Sequence, residues 1–254
     1  MSERILKALV QLFAIIARVD STVDEDLSGR QIVESFLKER LPGKLVRKYL
    51  ESFDEYLEKY QKVSSGKNGR FKRTSVNSVK VLRICTQVNS ELTQRQKTIV
   101  LIRLLEFIYT HSEVSELERE FVDTVASTFH FDMEEYKLAR HFVEQRETEL
   151  LASPNVMYIT DDTDSSEAFG KHLLAKGLKG YIRVLRLPTV NLHFIKYSGG
   201  GTYNLSGQTI VNNRFYVLNQ GASIRGAKIS PIYYSDILAN FLKDQTGVKI
   251  RFRA

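Results

Sequence analysis

The chain has 254 residues, of which 43% are hydrophobic and 26% are charged, and its net charge is +7. This is the composition of a globular protein, and it excludes a disordered chain, a fibre and, because Cys85 is the only cysteine, a disulfide scaffold. The longest apolar stretch near the start, Leu9–Ala17, is about half the length that a membrane span requires. A single cysteine favours a reducing compartment, so we expect a cytoplasmic protein.

Apolar residues recur at helical spacing in seven consecutive segments of the first part of the chain. The segments begin near residues 3, 32, 44, 75, 93, 115 and 132, and a basic loop at residues 62–73 separates the third from the fourth. Three of the starts carry the paired residues of an N-terminal helix cap, which are Thr93 with Gln96, Ser115 with Glu118, and Asp132 with Glu135. The pattern predicts a bundle of about seven helices.

The second part of the chain has the pattern of short strands separated by glycines. Strands are predicted at residues 156–160, 181–187, 192–197, 202–205, 209–211, 214–218, 223–225 and 248–253, with a helical turn at 171–175 and a closing helix or turn at 235–243. We therefore expect an α+β protein of two domains. These are an all-α bundle over residues 1–150 and a small all-β domain over residues 155–254.

The net charge is concentrated in the predicted β domain. Residues 1–150 carry 24 Lys and Arg residues and 24 Asp and Glu residues, whereas residues 151–254 carry 13 basic and 6 acidic ones. Glycines and prolines also become more frequent beyond Ser153-Pro154. A change in both charge and turn residues marks a domain boundary at this point.

A weak internal repeat relates the end of the first helix to the end of the fifth, at residues 15–26 and 106–118. Each copy has an apolar helix, a short polar corner, one valine and an acidic helix start. The corners Asp20–Val23 and His111–Glu118 resemble the mark of the TerB-like (tellurite-resistance-type) helical family. The motif of that family is Asp-Gly-x-Val/Ile-x-x-x-Glu, at a corner between paired helices, and it occurs twice. The resemblance covers residues 3–147.

The TerB-like resemblance implies a divalent-cation site at the two corners. The side chains that could ligate the ion are those of Asp20, Asp24, His111, Glu113 and Glu118. Both copies depart from the motif, since Ser21 and Ser112 stand in place of its glycine. In the second copy His111 replaces the aspartate, and in the first copy Leu27 replaces the glutamate. Acidic residues in the first turn of a helix also cap amides and complement the helix dipole, and we favour this interpretation over a metal site.

The segments Thr202–Ile210 and Leu218–Ile224 resemble the closing third of a forkhead-associated (FHA-like) β-sandwich. The family has an Asn-Gly turn and a Gly-Asp-x-Ile segment at these places, where this chain has Ser206 for the Asn and Ala222 for the Asp. The Gly-Arg strand end and the Ser-x-x-His loop, which hold phosphothreonine in the family, are not found in the sequence. The resemblance therefore implies the sandwich without its phosphopeptide pocket.

A TerB-like bundle followed by a small basic β domain resembles the N-terminal region of certain large bacterial ATP-binding-cassette (ABC) proteins. The segment Ser230–Ile237 resembles the joint ahead of the cassette. The resemblance implies a regulatory or scaffolding region whose partners are the downstream nucleotide-binding domain and the membrane domain, at the cytoplasmic face of the inner membrane. Because the alternating segment 248–253 stops at the last residue but one, we expect the full protein to continue.

No motif in the sequence predicts catalysis. The five histidines form no His-x-x-x-His pair, Cys85 lies on an apolar helix face, and the sequence has no P-loop and no nucleophile elbow. We therefore expect no enzyme and no cofactor apart from the candidate cation. An alternative is a free-standing protein that binds nucleic acid or another anion through the basic and aromatic residues of the β domain. We expect those aromatic residues to form the core of the domain, however, and we do not expect nucleic acid to be the partner.

Overall fold

The structure is a computed structural model that describes residues 3–17, 23–38, 41–62, 69–109, 114–144, 151–162 and 171–243. The chain divides into two compact units, Met1–Glu144 and Gln145–Ala254, which we call the helical unit and the β unit. Helices form the first, and two sheets make up most of the second. The protein therefore belongs to the mixed α+β class that the sequence predicts.

The described residues of the helical unit form α1 Glu3–Ile16, α2 Val23–Lys38, α3 Gly43–Lys62, α4 Gly69–Glu91, α5 Gln94–Ile108, α6 Glu116–Thr128 and α7 Met133–Glu144. Two starts differ from the prediction. Helix α2 begins at Val23 rather than near residue 32, and α4 begins at Gly69, inside the predicted basic loop. Because Lys and Arg are good helix formers, a helix continues through such a segment without an apolar pattern to mark it.

Helix α5 lies at the centre of the helical unit, in contact with α1, α2, α6 and α7. The sequence predicts one core side for this helix, but the structure buries every residue from Lys97 to Ile108. The charged residues of this stretch are buried as well, and they are Lys97, Arg103 and Glu106. A helix that is enclosed on all sides has to pair its charges within the protein, because unpaired charges are costly to bury.

The described residues of the β unit form β1 Val156–Thr160, β2 His172–Leu174, β3 Tyr181–Leu187, β4 Leu192–Ser198, β5 Tyr203–Leu205, β6 Gln208–Thr209, β7 Phe215–Val217, β8 Ser223–Gly226, β9 Ile229–Tyr233 and α8 Tyr234–Leu242. One sheet has the order β2-β1-β3-β4-β7 and the other the order β6-β5-β8-β9. Strands β1 and β2 are parallel, and the other pairs are antiparallel. The strand predicted at 248–253 lies outside the described residues.

The two sheets of the β unit share one apolar core. Residues at alternate positions of their strands form it, among them Met157, Ile182, Ile195, Leu205 and Ile224. Helix α8 adds Ile237 and Phe241 to the same core. Packing between two sheets therefore explains the alternating pattern from which the longer strands are predicted.

Three predictions for this unit are wrong in detail. Residues 172–174 form a strand beside β1 instead of a helical turn. Strand β9 is not predicted, because Pro231 disrupts its pattern, but β9 is an edge strand, where a proline removes no sheet hydrogen bond. The unit is also not all-β, since α8 forms where the apolar pattern of residues 235–243 predicts a closing helix or turn.

Candidate functional site

The five residues that the resemblance implies as cation ligands belong to the two helix corners. Asp20, His111 and Glu113 lie outside the described residues, and so does the side chain of Asp24 in α2. Glu118 lies in the first turn of α6 and is 8% exposed. Within the described ranges, no three His, Cys, Asp or Glu side chains are grouped as a metal site requires.

Glu118 forms a capping box with Ser115 at the start of α6. Glu118 Oε2 accepts hydrogen bonds from the Ser115 amide at 2.8 Å and from the Ser115 hydroxyl at 2.7 Å. In return, Ser115 Oγ accepts a hydrogen bond from the Glu118 amide at 3.3 Å. Thr93 and Gln96 form the same box at α5, so two of the three predicted capping pairs are confirmed as boxes. At α7, Asp132 Oδ1 accepts hydrogen bonds from the Glu134 and Glu135 amides. At the α6 corner, the Glu118 carboxylate satisfies an amide that the helix leaves free.

A surface cleft of about 460 Å³ lies beside this corner, along α6 and α7. Its lining residues are Val114, Glu116, Arg119, Glu120, Asp123 and Arg140. Asp123 Oδ1 accepts hydrogen bonds from the Tyr136 hydroxyl at 2.5 Å and from Arg140 Nη1 at 3.2 Å. Burial, together with the hydrogen bond to Asp123, raises the pKa of Tyr136, so that this hydroxyl remains a donor. The cleft is thus lined by charged side chains that are at least partly exposed, and it suits polar contact. Of these side chains, Asp123 pairs with Arg140, and Arg119 pairs with Glu144 outside the lining.

Cys85 is completely buried in α4. Burial raises the pKa of its thiol to about 12. The thiolate, which is the nucleophilic form, is therefore scarce at neutral pH. The side chain packs as a small apolar group.

Basic residues outnumber acidic ones in the β unit, whereas the two are balanced in residues 1–150. The described residues of the β unit include ten Lys and Arg residues and three Asp residues. Lys176, Lys179 and Lys228 are exposed, and none of them has an ion-pair partner in the part of the chain that the structure describes. The field of these charges therefore extends into solvent, where it attracts an anionic partner.

Most aromatic side chains of the β unit belong to its interior. In strands β3 to β9, the aromatic side chains buried to at least nine-tenths are Phe194, Tyr197, Tyr203, Phe215 and Tyr216, and Tyr158 in β1 and Phe241 in α8 are buried as well. Tyr233 is 45% exposed, and Tyr181 and Tyr234 are intermediate. The expectation that the strand aromatics are core is confirmed for the five buried rings of strands β3 to β9. A stacking platform for nucleic-acid bases needs exposed rings, and these five cannot supply one.

Sequence reasoning did not single out Lys176, Lys179 and Lys228. The one sequence feature that could have pointed to these lysines is the segment Lys176–Gly180. In it, glycines at positions 177 and 180 flank Leu178 and Lys179. Both glycines have positive φ angles, of +86° and +96°, and such positions favour glycine strongly. A basic segment with two such glycines indicates a tightly folded loop that exposes its lysines.

Searches against protein-family models, curated proteins and solved structures found no match to this chain. Among the described helices, none is both long enough and apolar enough to span a membrane.

Proposed function

We propose that this chain is a non-catalytic regulatory or scaffolding region of a bacterial ABC transporter ATP-binding protein. In this proposal it senses a divalent cation or docks the nucleotide-binding domain and the membrane domain of the same protein, in the cytoplasm at the face of the inner membrane. The observation that carries the proposal is the contrast in charge. The helical half is neutral, whereas the described β unit has ten basic and three acidic residues. Such an excess attracts an acidic partner surface and steers its approach.

The finer identity of the two units is part of the proposal. We infer a TerB-like bundle for the helical unit, supported by its paired helices and by the corner that precedes α6. For the β unit, we infer an FHA-like sandwich, supported by two sheets around one core and by turns at Ser206-Gly207 and Gly221-Ala222. In this interpretation, the sandwich binds protein without a phosphothreonine pocket.

Docking is tested by titrating the purified chain with the nucleotide-binding domain of the same protein in a calorimeter. Reversing two exposed charges of the β unit, with Arg225→Glu and Lys243→Glu, should weaken binding by about tenfold at low salt, since exposed pairs contribute up to about 1 kcal/mol each. Lys44→Glu and Lys59→Glu make the same change of charge in the helical unit and serve as the control. Equal affinity of the two double variants contradicts docking through the β unit.

The cation-sensing part of the proposal has a test of its own. If Asp20, Asp24, His111, Glu113 and Glu118 hold a divalent ion, millimolar Ca²⁺ or Mg²⁺ should raise the thermal midpoint, because a ligand that binds only the folded state stabilises it. The shift should vanish in Asp20→Ala. Absence of any shift in the unsubstituted chain removes the cation from the proposed function and leaves the docking role in place.

A second candidate function is a free-standing protein that binds nucleic acid or another polyanion through the basic β unit. The same excess of basic residues favours it, whereas the burial of five strand aromatics argues against base stacking. Binding to heparin or DNA with a steep dependence on salt is the expected result for this candidate. Weak binding that does not respond to salt rejects it.

A further inference from the structure

Three loops of the β unit are in direct contact with one another. A Cβ atom on Gly180 would lie 2.2 Å from the carbonyl oxygen of Ser198, and a Cβ atom on Gly177 would lie 2.2 Å from that of Lys228. The segment between β2 and β3 therefore touches both the segment after β4 and the hairpin turn between β8 and β9. The approach is so close that only glycine fits at either position.

Two tyrosine hydroxyls hold the backbone of Lys179 within this assembly. The Tyr203 hydroxyl accepts a hydrogen bond from the Lys179 amide at 2.8 Å, and the Tyr197 hydroxyl donates one to the Lys179 carbonyl at 2.5 Å. Both rings are buried and meet edge to face, with their centroids 5.0 Å apart. The peptide is thereby fixed on both sides, while the side chain of Lys179 is exposed. A rigid support of this kind lowers the entropic cost of binding.

Lys176 and Lys228 bring two further positive charges to the same loops. We call the exposed side chains of Lys176, Lys179 and Lys228 the lysine end. Asp161 and Asp162 follow β1 at the same edge of the sheet, but no ion pair joins either of them to the three lysines within the described part of the chain. As far as the described residues go, the three ammonium groups are available to an external anion.

An exposed aliphatic side chain accompanies the lysine end. Val211 is 56% exposed and precedes Asn212, whose Oδ1 accepts a hydrogen bond from the Gly199 amide at 3.0 Å. Gly199 in turn packs against Lys179, because a Cβ atom there would lie 2.4 Å from the Lys179 carbonyl oxygen. The loop of Val211 therefore contacts the loop of Lys179 through Gly199. An exposed valine on a loop next to a basic loop matches an anionic bilayer surface, where ammonium groups contact headgroup phosphates and apolar side chains reach the acyl boundary.

We propose that the lysine end binds the surface of a bilayer that contains anionic lipid. Lysine carries a compact charge on a flexible stem, which suits a field of many phosphates better than one planar, bidentate partner. Val211 adds apolar contact that a nucleic-acid backbone would not use. This inference goes beyond the proposed function, since it concerns lipid rather than another domain and holds whether or not a cassette follows.

The test is sedimentation of the whole chain with vesicles of phosphatidylglycerol mixed with phosphatidylcholine, and with vesicles of phosphatidylcholine alone. The chain should bind the anionic vesicles and dissociate as salt is added. The triple variant Lys176→Gln, Lys179→Gln, Lys228→Gln should lose about 100-fold in partition coefficient. Val211→Ser should lose about fivefold.

The matched control is the triple variant Lys44→Gln, Lys59→Gln, Lys137→Gln, which removes the same charge from exposed helix positions of the helical unit. It should bind nearly as well as the unsubstituted chain, and circular dichroism should show that both variants are folded. Equal losses in the two triple variants, or equal binding to both kinds of vesicle, overturn the proposal. Competition by duplex DNA that releases the chain from the vesicles at the same salt concentration assigns the lysine end to nucleic acid instead and also overturns it. Failure here leaves the calorimetric test of cassette docking unaffected.

Discussion

The buried pair of α5 in the helical unit and the lysine end of the β unit place their charges in opposite ways. In the helical unit, Arg103 and Glu106 form an ion pair at 2.7 Å on the enclosed helix α5, and both side chains are 4% exposed. In the β unit, neutral tyrosine hydroxyls and backbone groups make the buried polar contacts around Lys179, whose charge stays outside. The comparison teaches that a charged residue serves stability where it is paired inside a core, as on α5, and remains available for binding where a folded loop exposes it, as at the lysine end.

This difference has a measurable form. Where a charge is paired inside a core, replacing it affects the free energy of unfolding, because the partner is left buried. Where a charge is exposed on a rigid loop, replacing it changes affinity for a partner and leaves the fold almost unaffected. Vesicle binding by the triple lysine variant tests the second case, and variants of Arg103 and Glu106 test the first.

The largest effect is expected from breaking the buried pair of α5. Arg103→Met leaves the Glu106 carboxylate in the core without the guanidinium at 2.7 Å, and it should lower the free energy of unfolding by about 3–5 kcal/mol. Urea denaturation followed by far-ultraviolet circular dichroism measures the loss. The double variant Arg103→Met, Glu106→Leu removes both charges and should recover most of it. If the double variant is no more stable than the single one, the pair does not act as a unit.

The second prediction concerns the close approach of loops in the β unit. Gly180→Ala should cost about 3 kcal/mol or more, since φ is +96° and the new Cβ would lie 2.2 Å from the Ser198 carbonyl oxygen. Gly207→Ala is the matched control, because its φ is +91° but nothing lies within 4 Å of its Cβ position. The control should cost only the strain of the backbone, about 1 kcal/mol. Equal losses in urea denaturation contradict a steric role for the contact.

The sequence predicts the local features of the fold better than those that depend on distant partners. Ser115 with Glu118 and Thr93 with Gln96 specify helix starts within four residues, and both capping boxes form. Strand β2 has three residues and exists through its pairing with β1, a contact that no local pattern reveals. The burial of Arg103 is similar, because amphipathic spacing shows one apolar face and not how many neighbours surround a helix.

The candidate sites show the same limit. Glu118 is predictable as a capping residue, because its partner Ser115 is three positions away. The lysine end is not, since Lys228 lies in the β8–β9 turn and meets Gly177, between β2 and β3, only once the two sheets have folded together. The positive φ angles of Gly177 and Gly180 are explained only when the facing carbonyl groups are known. Residues brought together by tertiary structure therefore require coordinates.

A smaller effect is expected where α2 approaches α5 in the helical unit. A Cβ atom on Gly29 would lie 2.7 Å from Phe107 Cε2, so Gly29→Ala forces the ring to move. Overpacking should lower the free energy of unfolding by about 1–3 kcal/mol, whereas the higher helix propensity of alanine should raise it by about 1 kcal/mol. The net loss measured by urea denaturation should therefore be about 1 kcal/mol. At the start of α3, Gly43→Ala meets nothing within 4 Å and should be neutral or slightly stabilising. A loss at Gly43 as large as that at Gly29 refutes the packing explanation.

The smallest effect is a pH dependence of the β unit. Burial lowers the pKa of His172, and the charge of Asp162 opposes this only in part, while the ring Nε2 lies 2.7 Å from Thr160 Oγ1. Below the unfolded pKa of about 6.5, the unfolded chain binds a proton that the folded chain takes up only at lower pH. Stability should therefore fall as the pH falls from 6.5 to the lowered folded pKa, by less than about 1 kcal/mol because the ring is partly exposed.

His172→Gln has no group that titrates in this range, and its amide can still reach Thr160, so the variant isolates the protonation of the ring. Urea denaturation of both proteins from about pH 7 to about pH 5 should show the unsubstituted chain losing stability relative to the variant as protons are added. The two curves should become parallel again once His172 is protonated in the folded state as well. A constant difference over the whole range would mean that His172 does not titrate differently in the folded and unfolded chains.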